Sequence, residues 1–355
     1  MSASGELVAQ GRETSWDEVE ASVGTEVGAF VGADAVSLAD IRRRLEVLAW
    51  DCPLHYDEAI ARRYGYRTVV APVSMHLSAA FPAYWSPGEP RPTSETEVLM
   101  PRIPLATDVG GTGDRIIDTG FDVQYGEPLY PGDSVSAVSR LAKVTRKRTR
   151  IGDGAFVVVE TTYTKQSGAE VAVDQLTAFR GRSSGAATGP NKRSASPTPP
   201  PTAVDAAAVA RGIRLDSGAS LPGEVTAFTL PLTRQRLVME AAVNRDFFPV
   251  HFEDAAAREN GLDGAFSNGI FLEALYEATL RDWMGLGGRL RRLAVRMIVG
   301  NVVGHTITCS GHVARTSRQG DCANVDVSMH TVLDGVVTSS AEASVVIPHS
   351  VPPFL

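Results

Sequence analysis

The chain has 355 residues, of which 43% are hydrophobic and 21% charged, an ordinary composition for a globular protein with one large domain or two of typical size. Its formal net charge of −7 argues against an open nucleic-acid-binding surface, which requires a basic face. No segment approaches the roughly 18 apolar residues of a membrane helix, and the N-terminus lacks the features of a signal peptide. We therefore expect a cytoplasmic protein with neither a nucleic-acid partner nor a membrane partner.

A segment of low complexity divides the chain. Residues 182–203 include no aromatic and no large aliphatic residue, and three consecutive prolines stand near their end. Such a composition buries too little apolar surface to offset the entropy lost on ordering it. The segment is predicted to be a linker between an N-terminal domain, residues 1–181, and a C-terminal domain, residues 204–355.

Helices are predicted at the start of each half. Ser37 and Asp40 form a variant capping box ahead of apolar residues at helical spacing. After a turn at Pro53, a short helix is predicted from Glu58 to Tyr64. The second half repeats this order, beginning with a helix that Thr233 is expected to cap.

Long strands are predicted behind the helices in both halves. Residues there are rich in β-branched side chains and partly alternate with polar ones, in segments 156–163, 171–179, 324–332 and 336–347. Gly168 and Gly335 lie in the turns that join each pair of strands into an antiparallel hairpin. The sequence thus predicts an α+β fold in which an antiparallel sheet wraps around a central helix, formed twice.

The candidate acid/base residues lie in the second half. Asp246 and His251 are five residues apart, which on one continuous helix would point them about 140° apart. Pro249 lies between them and disfavours the helical conformation at the preceding residue, so the chain is expected to turn. A carboxylate at the end of a helix and a histidine after the turn can then converge on one water molecule.

A small polar turn, Ser267-Asn268-Gly269, leads directly into an apolar helix predicted from Ile270 to about Trp283. The first amides of a helix have no intrahelical acceptor and carry the positive end of the helix dipole. The N–H group of Gly269 is therefore a candidate for polarising a thioester carbonyl. An acid/base pair with a backbone oxyanion donor is the minimum set for adding water to an enoyl thioester.

In the segment from Asp246 to Gly269 the sequence resembles the MaoC-like hot-dog-fold dehydratases and (R)-specific enoyl-CoA hydratases. Their Asp-Phe-Asn-Pro-x-His signature is matched at Asp246, Phe247, Pro249 and His251, and the gap to Gly269 agrees without insertion. The first half is similar to the companion dehydratase-like domain through Pro53 to Glu58, Gly65 and Ala71-Pro72. The resemblance implies a double hot-dog fold over most of the chain.

The resemblance also implies a reaction. Asp246 and His251 would activate water for addition to the β-carbon of an enoyl thioester, and the Gly269 amide would hold the enolate oxygen. The substrate would be an acyl-CoA, or an acyl-carrier-protein thioester, and no metal or redox cofactor is needed. Four further residues are expected to bind the substrate: Ser267, Asn268, Phe248 and Glu277.

Several residues depart from the family pattern. Phe248 replaces the usual Asn of the signature, Asn268 replaces the His before the glycine, and Glu277 stands where many members have a small polar residue. In the first half, Trp50 falls at the position of the acid while His55 keeps the place of the histidine. We therefore expect the first half to be a degenerate domain that contributes sheet pairing and an acyl tunnel.

Two other functions remain open at this stage. The departures are compatible with a protein that binds acyl thioesters without converting them, and with a tailoring enzyme that dehydrates or cyclises a specialised metabolite. The oligomeric state is open as well, because one double hot-dog chain can mimic the dimer of single-domain relatives, and a homodimer of such chains is also compatible with the fold.

Overall fold

The computed structural model describes residues 14–91, 109–111, 115–149, 152–183, 213–214, 220–259 and 261–349. The first two residues of the predicted linker, Arg182 and Ser183, end a strand, and the rest of the linker lies outside the described residues. Within the described ranges, no helix is both long enough and apolar enough to cross a membrane.

In the described part of the first half there are four helices and five strands. The helices are α1 (Trp16–Ala21), α2 (Leu38–Leu48), α3 (Glu58–Arg63) and α4 (His76–Ala80). The strands are β1 (Glu26–Val31), β2 (Arg115–Tyr125), β3 (Val135–Thr149), β4 (Gly152–Lys165) and β5 (Glu170–Ser183). Short 3-10 helices lie at Pro53–His55 and Val73–Met75. The predicted capping box is present, since Ser37 and Asp40 each accept the other's backbone N–H.

The second half repeats this order of elements. Its helices are α5 (Arg234–Asn244), α6 (Asp254–Glu259) and α7 (Gly269–Met284), with a 3-10 helix at Pro249–His251. Its strands are β6 (Ile213–Arg214), β7 (Ser220–Leu221), β8 (Glu224–Pro231), β9 (Arg289–Met297), β10 (Thr306–Gln319), β11 (Cys322–Leu333) and β12 (Val336–Pro348). Thr233 accepts the N–H of Arg236 and so caps α5, as the sequence predicts.

Ten strands form one antiparallel sheet in the order β1-β3-β4-β5-β2-β9-β12-β11-β10-β8. The halves meet where β2 pairs with β9, from Gly120 opposite Arg296 to Gln124 opposite Arg292. A Cβ at Gly120 would lie 2.3 Å from the carbonyl oxygen of Val295, so the close approach of the two strands requires glycine. The two predicted sheets are therefore continuous with each other.

The central helices of the two halves differ in length. Helix α7 has 16 residues, most of them buried, and it packs against β8, β9 and β10. Helix α4 has only five residues and ends at Phe81, whose backbone is extended. Pro82 explains this early end, because a proline disfavours the helical conformation at the residue before it. The chain after α4 is thereby free to run toward the second half.

A buried polar cluster joins α2 to α5. Arg44 is fully buried; its guanidinium donates to the side chain of Asn244, and its Nη1 lies 3.7 Å from Oε2 of Glu240. Burial raises the pKa of Glu240 to about 7, and the charge of Arg44 partly opposes that rise. Because α5 ends at Asn244, this cluster fixes the helix end that immediately precedes Asp246.

Candidate active site

The turn after α5 brings Asp246 and His251 together. Arg245 adopts a left-handed conformation (φ 57°) that ends the helix, and Pro249 begins the 3-10 helix that carries His251. The distance from Nε2 of His251 to Oδ2 of Asp246 is 3.5 Å. Both side chains are largely buried, with exposed fractions of 14% and 15%. The convergence expected from Pro249 is therefore present.

The orientation of His251 is set by the backbone. Its Nδ1 lies 3.0 Å from the carbonyl oxygen of Phe266, which can only accept a hydrogen bond, so Nδ1 carries the proton. The Phe266 ring packs edge-on against the imidazole at 4.9 Å. In the neutral ring, Nε2 is then an acceptor that faces the Asp246 carboxylate. Two acceptors at this separation can share one water molecule, which donates one proton to each.

Asn268 connects the pair to the central helix. Its Nδ2 donates to Oδ2 of Asp246 at 2.6 Å, and its Oδ1 accepts the N–H of Phe271 at 2.9 Å. The side-chain amide of Asn268 therefore caps α7 and also holds the Asp246 carboxylate in place. Oδ1 of Asp246 has no hydrogen-bond partner within the described ranges and remains available as an acceptor.

Gly269 is the first residue of α7, so its N–H group lies at the positive end of the helix and has no intrahelical acceptor. A Cβ on Gly269 would meet only ordinary contacts, 3.7 Å from a ring carbon of Phe121 and 3.9 Å from the sulfur of Met297. Packing alone does not require glycine here. The missing side chain leaves space beside the amide, between residues of β2 and β9, where a carbonyl group could approach.

Tyr84 is a site residue that the sequence did not indicate. Its hydroxyl donates to the carbonyl oxygen of Arg245, and its ring lies 5.3 Å from that of Phe247 and 5.2 Å from the Arg245 guanidinium. Burial, and then the nearby charge of Asp246, raise the pKa of Tyr84 to about 12. Tyr84 of the first half thus contacts both residues next to Asp246 in sequence, Arg245 and Phe247. The contact spans 161 positions and has no local sequence signal.

Asp118 on β2 is a second residue that the sequence did not indicate. Its side chain is accessible to solvent. Partial desolvation of its carboxyl group by the surrounding protein raises the pKa to about 6. The charge of Asp246 adds to this rise and that of His251 opposes it. The first half therefore contributes a third titratable group to the electrostatics of the pair. Among the described residues, no cluster of three or more His, Cys, Asp or Glu side chains is placed to hold a metal ion.

Comparison with known proteins identifies relatives of the first half. Residues 21–174 match the family model of the FAS1-like dehydratase domain region. A probable enoyl-CoA hydratase alpha subunit from Thermomonospora curvata is 30% identical over 152 residues, which are 42% of this chain and 46% of that protein. The chain thus spans about half the length of this curated relative.

Solved structures extend the likeness to the whole chain. A MaoC-like dehydratase superposes with a TM-score of 0.67 at 20% identity, covering 92% of this chain and 99% of its own. A double hot-dog protein from Mycobacterium tuberculosis gives 0.58 at 12% identity, covering 94% and 98%. The chain has the double hot-dog fold of these structures. The resemblance read from the sequence is confirmed at the level of the fold, and the family model supports it for the first half.

The double hot-dog fold places the other expected substrate-binding residues as follows. Ser267 and Phe248 lie beside the pair: the backbone N–H of Ser267 donates to Asn301 at 3.0 Å, and the carbonyl of Phe248 accepts the N–H of His251 at 3.0 Å. Glu277 lies eight residues along α7 from Gly269, about 12 Å away at 1.5 Å per residue. The structure does not bring Glu277 to the Asp246–His251 pair.

Glu277 instead reaches the first hot-dog half. Its two carboxylate oxygens accept the backbone N–H groups of Val73 at 2.8 Å and Ser74 at 3.0 Å. These amides begin the 3-10 helix Val73–Met75, which leads into α4. This position in the first half is equivalent to the start of α7 at Gly269 in the second half. A carboxylate of the second half therefore occupies the place where the first half would hold a thioester oxygen.

The first half also lacks a carboxylate beside its histidine. Nδ1 of His55 lies 2.6 Å from the carbonyl oxygen of Val70, as His251 does from Phe266, but the neighbouring ring at 4.9 Å is Trp50. Asp51 is exposed and accepts the hydroxyl of Tyr56 instead. The two halves thus share a fold and a histidine orientation, and a carboxylate lies beside the histidine at Asp246 and His251 of the second half.

Proposed function

We propose that this chain is a hydro-lyase that adds water reversibly to a trans-2-enoyl thioester, giving the (R)-3-hydroxyacyl form. The observation that carries the proposal is the pair of acceptors on Asp246 and His251, 3.5 Å apart, at the start of the helix whose first amide is that of Gly269. The dehydratase-type family match of residues 21–174 and the name of the Thermomonospora relative support it.

The proposed reaction follows from these groups. A water molecule held by Asp246 and His251 gives one proton to the pair while its oxygen bonds to the β-carbon. The electrons of the Cα=Cβ bond move toward the thioester carbonyl, and the Gly269 amide stabilises the enolate oxygen. The proton then returns from the pair to the α-carbon, so that water is added across the double bond and the enzyme is restored. Dehydration follows the same steps in reverse.

Each component of the site has one role in this proposal. Asn268 is a positioning residue, since it fixes Asp246 and caps α7 with the same amide. Tyr84 positions the chain around Asp246 from the first half. Asp118, on the strand that joins the halves, places a further carboxyl group near the pair, and the acyl group would extend along this part of the first half. CoA is proposed as the thiol, as in the name of the curated relative.

The proposal is tested by incubating the protein with crotonyl-CoA and with longer, branched and bulky trans-2-enoyl-CoA substrates. Loss of the enoyl-thioester absorbance, with a 3-hydroxyacyl product of (R) configuration, is the expected result. A protein that binds these thioesters but leaves their absorbance unchanged would contradict the proposed reaction and would favour the binding-only function.

A further inference from the structure

A cleft between the two halves is separate from the Asp246–His251 pair. Its enclosed part is about 50 Å³, and the free space reaches about 590 Å³ when the open mouth is included. Buried residues line its inner part, among them His55, Glu277 and Arg281, with exposed fractions of 4%, 1% and 5%. Arg289 and Arg291, which are more accessible, lie toward its mouth. The walls between are largely apolar, formed by tyrosine, valine and leucine side chains.

The inner end of the cleft presents an unused acceptor. His55 donates from Nδ1 to Val70, and burial lowers the pKa of the imidazole to about 3, so the ring is neutral near pH 7. Nε2 of this ring therefore carries a lone pair, and it has no hydrogen-bond partner among the described residues. A buried acceptor without a donor is unfavourable, so a ligand that supplies a donor would gain affinity here.

Glu277 decides what kind of group can enter. Its oxygens already accept the Val73 and Ser74 amides, so these two amides are not available to a thioester carbonyl. Among the described residues, the inner end has an unpartnered acceptor, Nε2 of His55, and an unpartnered donor, Nε of Arg281. It therefore favours a hydroxyl or thiol group, which can donate to the imidazole and accept from the guanidinium.

The mouth of the cleft favours a different group. Arg289 and Arg291 lie there, whereas the Arg281 guanidinium is buried and donates to backbone carbonyl oxygens. The Arg289 guanidinium lies 4.8 Å above the Tyr66 ring, a contact that fixes its position beside the opening. An anionic group is therefore favoured at the mouth.

We propose that this cleft binds a small amphiphilic anion, with a hydrogen-bond donor against His55, an apolar spacer along the walls and an anionic group against Arg289. An aliphatic acid with a terminal hydroxyl group has this chemistry, and the phosphopantetheine arm of free CoA shares its terminal donor and its anionic group but has a more polar spacer. The site is independent of the reaction at Asp246, so binding there and thioester hydration are measured separately.

Calorimetric titration of the full chain with 6-hydroxyhexanoate, hexanoate and 4′-phosphopantetheine tests the proposal. We expect the hydroxy acid to bind about 10-fold more tightly than hexanoate, which corresponds to about 1.4 kcal/mol. The phosphopantetheine arm distinguishes the two sources: tighter binding of that probe identifies the CoA-derived ligand, and tighter binding of the hydroxy acid identifies the carboxylate.

Two variants assign the binding to the cleft. Arg289→Gln is expected to weaken the preferred probe about 10-fold, whereas Lys147→Gln, an exposed cation on β3, leaves its affinity unchanged. His55→Phe is expected to abolish the preference for the hydroxy acid over hexanoate. If His55→Phe does not fold, the comparison of the two acids in the unmodified protein still tests the inner donor. Absence of binding for every probe up to about 10 mM, or equal affinity in Arg289→Gln and Lys147→Gln, would overturn the proposal.

Discussion

Asn268 donates a 2.6 Å hydrogen bond to Asp246 and accepts the N–H of Phe271 at 2.9 Å. One side chain thus links the Asp246 carboxylate to the start of helix α7. The helix cap and the position of the carboxylate are therefore coupled. This coupling gives a structural reason why asparagine can stand where the resembling family has histidine. It also predicts that activity and stability respond together at this position.

Asn268→Ala is expected to lower stability by about 1 kcal/mol through loss of the cap and to reduce kcat by freeing Asp246. Asn268→Asp retains a capping acceptor but places a carboxylate against Asp246, so we expect a smaller loss of stability with a comparable loss of kcat. Thermal unfolding and steady-state kinetics measure the two effects. Ser37→Ala, which removes the cap of α2, is the matched control and should lower stability alone. Full activity in Asn268→Ala would contradict the positioning role.

Tyr84→Phe removes only the hydroxyl that donates to Arg245 and keeps the ring against Phe247. Loss of one hydrogen bond worth about 1 kcal/mol is expected to lower kcat about 5-fold with little change in KM. Tyr56→Phe removes the comparable hydroxyl that donates to the exposed Asp51 and should leave both constants unchanged. A change confined to KM in Tyr84→Phe would indicate substrate contact rather than positioning of Asp246.

Asp118→Asn is expected to move the acidic limb of the kcat/KM profile to lower pH. The charge of Asp118 interacts with those of Asp246 and His251, and the amide removes that charge. A negative neighbour stabilises the protonated form of a catalytic group, so its removal is expected to shift the limb to lower pH. The shift is measured from the pH dependence of kcat/KM in the unmodified protein and in the variant. Asp153→Asn, an exposed carboxylate change on β4, should leave the profile in place. A shift to higher pH would contradict the proposed electrostatic coupling.

The contribution of Glu273 to stability is expected to fall as the pH rises from about 4.5 to about 8. Burial raises the pKa of Glu273 from 4.5 to about 8, so the unfolded chain releases this proton at lower pH than the folded protein does. The contribution of Glu273 to stability is complete below about pH 4.5 and is lost as the pH rises through about 8.

The slope from one such group is at most about 1.4 kcal/mol per pH unit. Glu273→Gln, which mimics the protonated form, should therefore flatten the dependence of the unfolding free energy on pH. Glu58→Gln, at an exposed carboxylate paired with Arg62, serves as the control and should retain the slope. An unchanged slope in Glu273→Gln would show that this carboxyl group does not titrate as its burial implies.

Much of the fold could be predicted because its signals are local. Capping by Ser37 and Thr233, the turn at Pro249, the apolar helix after Gly269 and the alternating strands all depend on residues near each other in sequence. The early end of α4 also had a local signal in Pro82, which the sequence analysis did not use.

The remaining features depend on contacts between distant segments. Tyr84 reaches Arg245 across 161 positions, and the environment of Asp118 is set by Asp246 and His251 in the other half. Glu277 was expected near the substrate because of its place in the family pattern, but its direction from α7 is determined by the amides of Val73 and Ser74. No local pattern contains these pairings, since they exist only when the two halves are packed together.

The most direct test of the central claim compares Asp246→Asn with Asp51→Asn in hydration of the best trans-2-enoyl-CoA substrate. Each variant replaces one carboxylate by its amide, in the second half beside His251 and in the first half at an exposed position. We predict that Asp246→Asn lowers kcat by about 10²–10⁴-fold while the thermal unfolding curve shows a folded protein, and that Asp51→Asn retains full activity. Undiminished turnover in Asp246→Asn would contradict the assignment of Asp246 and His251 as the acid/base pair.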